Sequence, residues 1–273
     1  MRIPRAIRAA SVGAAILTLA LSTAVAAADT VVVTPTNQQG WLEANLADGD
    51  VVFVADGTLP NGGEGALELR TPSAAAKANY SHLTNTALSS VTELSYYTRQ
   101  MFAPPGAQAI AAVSYQLGMC LNGTVGGVCA GFTTLVFEPY QNPQLGLVTP
   151  GVWQFWDVDA GLFWSTRTVL CSSGTVVGTP GGPAIYTLET IESMCPDAVV
   201  FRFAANAGTN NPGWVVRTDL FNFNGTTYDF ELTNEPKDKD DCKDGGYQDM
   251  TDAGGEPFKN QGQCIKYANG DGE

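Results

Sequence analysis

The stretch DLFNFNGTTYDFEL (residues 219–232) decides the fold class, because it has the pattern of two strands joined by a tight turn. Apolar and polar residues alternate on both sides of Asn224 and Gly225, as they do in half-buried strands. Asn-Gly also supplies the two positive φ angles that a two-residue hairpin turn requires. The stretch therefore predicts a β-hairpin.

Further runs of β-branched and aromatic residues lie upstream, between turns rich in Gly, Pro and Asn. These runs are DVVFVADG (50–57), GALELR (65–70), VTELSYYT (91–98), QAIAAVSYQL (108–117), GFTTLVFEPY (131–140), GVWQFWDV (151–158), LFWSTRTVL (162–170) and AVVFRFAAN (198–206). One short helix is expected after Thr187 as N-cap, with Leu188, Ile191 and Cys195 on one face and Pro196 ending it. Many short strands with almost no helix predict an all-β fold, namely an antiparallel β-sandwich or jelly roll over residues 28–233.

The N-terminus has the features of a secretory signal peptide over residues 1–27. Arg2, Arg5 and Arg8 precede an apolar run, and small residues then fit the A-x-A cleavage pattern. The run is too short and too alanine-rich for a good membrane span, so we expect a secreted, extracellular protein that does not insert into a membrane. The net charge is −13, and it becomes −16 when the three arginines are removed, which argues against nucleic acid as a partner.

The cysteines of an exported chain are expected to form disulfides. Six cysteines allow 15 pairings, of which the sequential one is the simplest. Sequential pairing would join Cys120 to Cys129, Cys171 to Cys195, and Cys242 to Cys264. The last of these would close a small polar C-terminal module (residues 234–273) that is too short to build a core of its own. With His82 as the single histidine and no C-x-x-C motif, a zinc site is not expected.

Two parts of the chain resemble exported bacterial proteins. The tail DCKDGGY (241–247) followed by FKNQGQC (258–264) resembles a short C-terminal tail found on such proteins. The larger part is similar to a group of exported bacterial proteins with a G-W start, here at residues 40–41, and with the motifs VTELSYYT, GFTTLVFEPY, W-x-x-W-D-V-D-A-G-x-F-W and DLFNFNGTTYDFE. The resemblance spans residues 40–267. It implies export and a β-sandwich of the lectin or carbohydrate-module kind, and it transfers no catalytic residue.

The stretch VWQFWDVDAGLFWSTR (152–167) contains the candidate binding residues, which are Trp153, Trp156, Asp157, Asp159 and Trp164. In a strand, Trp153 shares a face with both aspartates, and Trp156 lies on the other face. Indole rings stack on the apolar faces of sugars, and carboxylates accept hydrogen bonds from sugar hydroxyls. These residues therefore indicate a non-catalytic module that binds carbohydrate or cell-wall glycan. The alternative is that the aromatic rings fill the core between two sheets, which is their commoner use.

Two other functions remain open from the sequence. Carboxylates roughly 5–10 Å apart flank the bond in glycosidases, so Asp157, Asp159 or Glu138 could serve a jelly-roll enzyme that acts on glycans. No further residue specifies an acid or base role, and the sequence therefore favours the non-catalytic module. The chain could also be a structural or interaction protein of the cell surface without a small ligand. Nothing in the sequence indicates an oligomeric state.

No cofactor is expected apart from a structural calcium ion. Exported β-sandwiches often hold Ca²⁺ with carboxylates and carbonyls of loops. Asp48, Asp50 and Asp56 are the candidate ligands, and Asp229 and Glu231 offer carboxylates near the far end of the domain.

Overall fold

The protein is a β-sandwich. The computed structural model describes residues 29–44, 46–59 and 63–270, so the predicted signal peptide lies outside the described residues. Within them the chain forms two curled sheets that pack face to face around one core, as the sequence predicted. No helix in the described ranges is long and apolar enough to cross a membrane.

The larger sheet has seven strands and is built around its longest one, β14 (Trp214–Phe223). On one side β14 pairs with β6 (Leu94–Phe102), which pairs with the edge strand β9 (Gln154–Asp157). On its other side β14 pairs first with β4 and then with β15. The remaining strands are β1 (Asp29–Val33), β3 (Asp50–Ala55), β4 (Gly65–Thr71) and β15 (Thr226–Phe230). The pair β1–β15 is parallel, and the other pairs are antiparallel.

The second sheet has six strands, which are antiparallel throughout. In spatial order they are β10 (Trp164–Ser165), β8 (Phe132–Phe137), β7 (Ser114–Cys120), β13 (Val199–Ala207), β5 (Ala78–Ala87) and β2 (Trp41–Glu43). A small separate pair consists of β11 (Val169–Leu170) and β12 (Val176–Val177).

Aromatic side chains from both sheets fill the space between them. Trp41 of the six-stranded sheet packs edge-on against Phe221 and Phe230, with ring centroids 5.4 and 5.1 Å apart. Tyr96 and Tyr115 are fully buried, and their hydroxyls donate to main-chain carbonyls at 2.7 and 2.8 Å. Each such ring buries a large apolar area, so this layer is the main source of stability.

Two local predictions are confirmed. The turn between β14 and β15 places Asn224 at φ 54° and Gly225 at φ 84°, the positive angles that favour Asn-Gly at this position. The predicted helix is α1 (Leu188–Met194), where Thr187 Oγ1 accepts a hydrogen bond from the main-chain N–H of Thr190 at 3.0 Å. Ile191 and Cys195 are buried beneath the helix.

The chain contains three disulfides: Cys120–Cys129, Cys171–Cys195 and Cys242–Cys264. They join the cysteines in sequential pairs. The third one lies in the C-terminal segment, where α2 (Gln261–Ala268) and Phe258 pack around it in a small cluster of their own. This segment contacts the sandwich through Asn37 Nδ2, which donates to Asp249 Oδ1 at 3.2 Å.

Candidate functional site

The three tryptophans of residues 152–167 lie in three different layers of the sandwich. Trp156 is buried between the sheets, 1 % exposed, and its indole N–H donates to Thr98 Oγ1 at 2.8 Å. Trp153 precedes β9 and is half-buried at the outer face of the seven-stranded sheet. Trp164 lies in β10, half-buried at the outer face of the six-stranded sheet. The chain crosses from one sheet to the other between Trp156 and Trp164, so these residues do not form one platform.

Trp156 was wrongly predicted to contact a ligand, because its ring has no access to solvent. The alternation itself holds along β9. Trp156 and Val158 point into the core, and Phe155 and Asp157 are exposed on the opposite face. A strand at the edge of a sandwich has one buried face and one open face, and its side chains divide accordingly.

The outer face of the seven-stranded sheet carries an aromatic strip next to a network of charges. The rings of Phe155 and Tyr97 lie 5.2 Å apart, and the Trp153 indole donates to Thr58 Oγ1 at 3.1 Å. Asp157 is exposed on this face, and Asp159 follows the strand. Burial, and then the charge of Asp157, raise the pKa of Asp159 to about 6.

Every arginine of this face forms an ion pair with a carboxylate. Arg99 and Arg217 contact Asp56 at 3.0 and 2.7 Å, and Arg217 also contacts Glu68 at 2.8 Å. Arg70 contacts Glu68 at 2.6 Å. Burial opposes the charge of Asp56, but hydrogen bonds from Thr58 and Arg217 and the charge of Arg99 lower its pKa below the usual value.

The carboxylates predicted to hold calcium do not come together. Asp56 is 5 % exposed and faces two guanidinium groups, whereas Asp50 is exposed at the start of β3 and Asp48 lies in the preceding loop. Asp229 and Glu231 lie in or next to β15, and Glu231 accepts from the main-chain N–H of Glu64 at 3.1 Å. No group of three or more His, Cys, Asp or Glu in the described ranges has the geometry to hold a metal ion.

The outer face of the six-stranded sheet contains a cleft of about 470 Å³. One transverse row of paired residues crosses its floor, in the order Trp164, Val136, Gln116 and Ala204. The next row includes Ser114 and Asn206, whose side chains hydrogen-bond each other at 3.3 Å. The residues that line the cleft are Lys77, Ser114, Gln116, Val136, Glu138, Tyr140, Trp164, Thr166, Gly181, Asn206 and the loop 208–211.

Hydrogen bonds fix the aromatic wall of the cleft. The indole N–H of Trp164 donates to Glu138 Oε2 at 2.8 Å, and Gln141 donates to the same oxygen. Gln141 also accepts from the main-chain N–H of Ala184 at 2.7 Å, which ties the loop around Gly181 to this wall. Tyr140 is 41 % exposed beside it. Because the indole edge is anchored, the ring keeps one orientation toward the cleft.

The described lining of the cleft contains one carboxylate, whereas two-carboxylate hydrolysis requires a pair. Glu138 is the only carboxylate among its described lining residues, and Asp157 and Asp159 belong to β9 and its end, on the other sheet. Glycosidases that use a carboxylate pair need both groups on the two sides of one bond. The amide of Gln116 makes no hydrogen bond with any described side chain or main-chain group, so it remains available to a ligand.

Sequence reasoning selected Trp164 and Glu138 but missed the other residues that line this cleft, among them Lys77, Gln116, Tyr140 and Asn206. A signal for Gln116 was present, because the run QAIAAVSYQL alternates and places Ser114 and Gln116 opposite the buried Tyr115 and Leu117. The cleft itself depends on the pairing of β7, β8, β10 and β13, which no local pattern reveals.

A second cleft, of about 490 Å³, lies between the β1–β15 edge and the C-terminal segment. Asp229, Glu235, Asp241 and Asp249 line it together with Lys237, and no aromatic ring is among its described lining residues. It therefore lacks a surface on which a sugar ring could stack.

Comparisons with known proteins give a weak likeness to carbohydrate-binding modules. No protein-family model matches the chain, and no curated protein matches it. A family 11 carbohydrate-binding module of a cellulosomal cellulase of Clostridium thermocellum is similar at 11% identity and TM-score 0.37, over 70% of this chain and 89% of the module. A structure described as carbohydrate-binding modules from the β-sandwich superfamily is similar at 13% identity and TM-score 0.34, over 67% of this chain and 56% of that one. Likenesses this distant carry no argument about function.

Proposed function

We propose that the protein is an exported, non-catalytic module that binds a carbohydrate chain in the cleft around Trp164. The observation that carries this proposal is an anchored, half-exposed indole and an unpaired amide, that of Gln116, in one transverse row of the cleft floor with Val136 between them. A pyranose ring presents an apolar face to an indole and hydroxyls to amides. Its two kinds of surface therefore match the two kinds of group that the cleft offers.

The volume and shape of the cleft also support this proposal. Small-molecule sites are concave, of about 300–1,000 Å³, with a few polar groups among apolar ones. The cleft falls within that range, and Glu138, Tyr140 and the loop 208–211 line it at the end of the floor where β8 and β13 both end. The aromatic strip at Phe155 offers rings of comparable size, but its neighbouring arginines are already paired with carboxylates.

Export rests on the predicted signal peptide and is supported by the three disulfides, which form and persist in oxidising compartments. The absence of catalysis is inferred from the single carboxylate of the described cleft lining. A binding module without an acid–base pair would hold a glycan without cleaving it.

The experiment is titration calorimetry of the purified chain with oligosaccharides chosen from a glycan array. Trp164→Ala should weaken binding about thirtyfold, because a central tryptophan in a binding surface contributes about 2 kcal/mol or more. Trp153→Ala is the matched control, since it removes a half-buried indole from the opposite outer face. If no glycan binds, or if Trp153→Ala weakens binding and Trp164→Ala does not, the proposal is wrong.

A further inference from the structure

The cationic side chains of the two sheets differ in whether they form ion pairs. Residues 29–233 contain six Lys and Arg, and the three on the seven-stranded sheet all form ion pairs. The other three are Lys77, Arg167 and Arg202, and all of them belong to the outer face of the six-stranded sheet or its margin. None of these three pairs with a carboxylate anywhere in residues 29–44, 46–59 or 63–270, although the chain is strongly acidic.

The two arginines flank a pair of neighbouring aromatic rings, which we call the aromatic stack although the rings are tilted by 44°. The guanidinium of Arg167 lies 4.7 Å above the ring of Phe132, and that of Arg202 lies 5.7 Å from the ring of Phe201. The two rings are 5.7 Å apart. Phe201 can lie against the sheet because Gly118 has no side chain, and a Cβ there would be 2.8 Å from the Phe201 ring.

This arrangement leaves the arginines ready to bind an anion. A guanidinium that stacks on a ring uses its planar face, while its N–H groups lie along its edges. The side chains of Arg167 and Arg202 donate no hydrogen bond to the described residues, so those edges remain available. An edge with two parallel N–H groups fits a carboxylate or a sulfate in a bidentate manner.

The aromatic stack adjoins the Trp164 cleft. Arg202 lies in the row with Gly118 and Thr134, two residues along the strands from the row of Ala204, Gln116 and Val136. Two residues of a strand span about 7 Å, and β13 lies three strand spacings, about 14 Å, from β10, so a chain crossing the sheet obliquely would pass from the indole to Arg202. Lys77 lines the other part of the same cleft, next to the start of β5.

The charges around the cleft favour an anion over a neutral ligand. Burial, and then the charge of Arg202, lower the pKa of Lys77. Glu138 is the carboxylate that faces them, but it follows β8, three strand spacings from β5. Three strand spacings amount to about 14 Å. The Glu138 carboxylate also already accepts hydrogen bonds from Trp164 and Gln141.

We propose that the glycan bound in the Trp164 cleft is an anionic polysaccharide whose carboxylate or sulfate groups are held by Arg202, Arg167 and Lys77. This inference rests on the proposed function and specifies its ligand class. The contacts add to the stacking on Trp164, and they select acidic chains over neutral chains of the same backbone. Because the three cations lie on one outer face and the rest of the chain is acidic, the attraction is local and falls as salt screens it.

The test compares polymers that differ only in charge. Polygalacturonate is titrated against its fully methyl-esterified form, and dextran sulfate against dextran, with the full mature chain. The anionic member of one pair should bind at least about tenfold more tightly, since hydrogen bonds to charged groups contribute about 1.5–3 kcal/mol each. Tighter binding of polygalacturonate assigns carboxylates as the ligand group, and tighter binding of dextran sulfate assigns sulfates.

Three variants locate the effect. Arg202→Gln should remove most of the preference for the anionic polymer. Arg167→Gln, at an exposed side chain whose loss does not disturb the core, should reduce it. Arg70→Gln is the matched control, because it removes the same charge from the other sheet, and it should change the affinity by less than about twofold. Thermal unfolding of each variant reports whether the fold is intact.

The outcomes separate this inference from the proposed function. If neutral and anionic polymers bind equally and Trp164→Ala weakens both, the cleft binds glycans and the anionic preference is refuted. If Arg70→Gln lowers the affinity as much as Arg202→Gln, net charge is the cause and the inference is again wrong. If no polymer of either kind binds, both proposals fail.

Discussion

The stability of this protein should fall as the pH rises from about 4.5 to 7, because burial raises the pKa values of several carboxyl groups. Glu231 is 9 % exposed, and burial, followed by the charge of Asp229, raises its pKa to about 7. Burial raises the pKa of Asp229 to about 6, and that of Asp219 lies well above its usual value for the same reason. Asp219 Oδ2 and Asp229 Oδ1 have no hydrogen-bond partner among the described residues.

The sign and size of the effect follow from linkage. A carboxyl whose pKa is higher in the folded chain holds its proton more tightly there than in the unfolded chain. The resulting stabilisation is complete below the unfolded pKa and is lost as the pH rises through the folded pKa. For Glu231 the pKa rises from 4.5 to about 7, and at 1.36 kcal/mol per unit this corresponds to a loss of about 3 kcal/mol.

Urea unfolding followed by tryptophan fluorescence, repeated between pH 4.5 and 8, measures this loss. Glu231→Gln keeps the shape of the side chain and an oxygen that can accept from the Glu64 N–H, but it cannot ionise. The variant should therefore lose about 3 kcal/mol less than the wild type across the range. Asp50→Asn removes an exposed carboxylate from the same sheet and should leave the shape of the curve unchanged. Parallel curves for Glu231→Gln and the wild type would refute the reasoning.

Three further predictions concern the core, the charge network and the C-terminal segment. Trp156→Ala should lower the free energy of unfolding by about 3–5 kcal/mol in urea titrations, because it empties a fully buried site. Asp56→Asn should cost about 3 kcal/mol at pH 7, since it leaves two half-buried arginines with one carboxylate fewer, and the cost should shrink as the pH falls below 4. Replacing Cys242 and Cys264 by Ser removes a 22-residue closure that stabilises by about 3 kcal/mol, and limited trypsin digestion should then cleave this segment before the sandwich.

Local patterns were sufficient for part of this fold: they predicted most strands of the two sheets, but not β1, β2 or the ten-residue β5. The Asn224-Gly225 turn and the Thr187 cap each follow from the chemistry of one or two residues, and both are present. Those patterns could not predict which strands pair, because β14 pairs with β6, β4 and β15 through contacts between segments that are distant in sequence. The parallel pairing of β1 with β15 has no local signal of any kind.

The candidate site was predicted only in part, because local patterns do not show which strands pair. Trp164 was selected for its residue type, and alternation along β9 correctly separated Trp156 from the exposed Phe155 and Asp157. Alternation could not show that the next strand joins the other sheet, which places Trp164 on the far side of the molecule. The prediction of one aromatic platform therefore failed at the crossover between β9 and β10.

The pairing of polar groups, more than the density of aromatic rings, distinguishes the two outer faces of the sandwich. Both faces present half-exposed tryptophans, so rings alone do not choose between them. On the seven-stranded sheet the arginines are ion-paired, and a ligand would have to displace those carboxylates before it could bind them. On the six-stranded sheet Gln116 and Arg202 have no protein partner for their donors in the described structure, so a ligand has to displace only water from them. Since an interaction that replaces an existing ion pair contributes little net free energy, we expect the proposed ligand to bind on the face with unpaired donors.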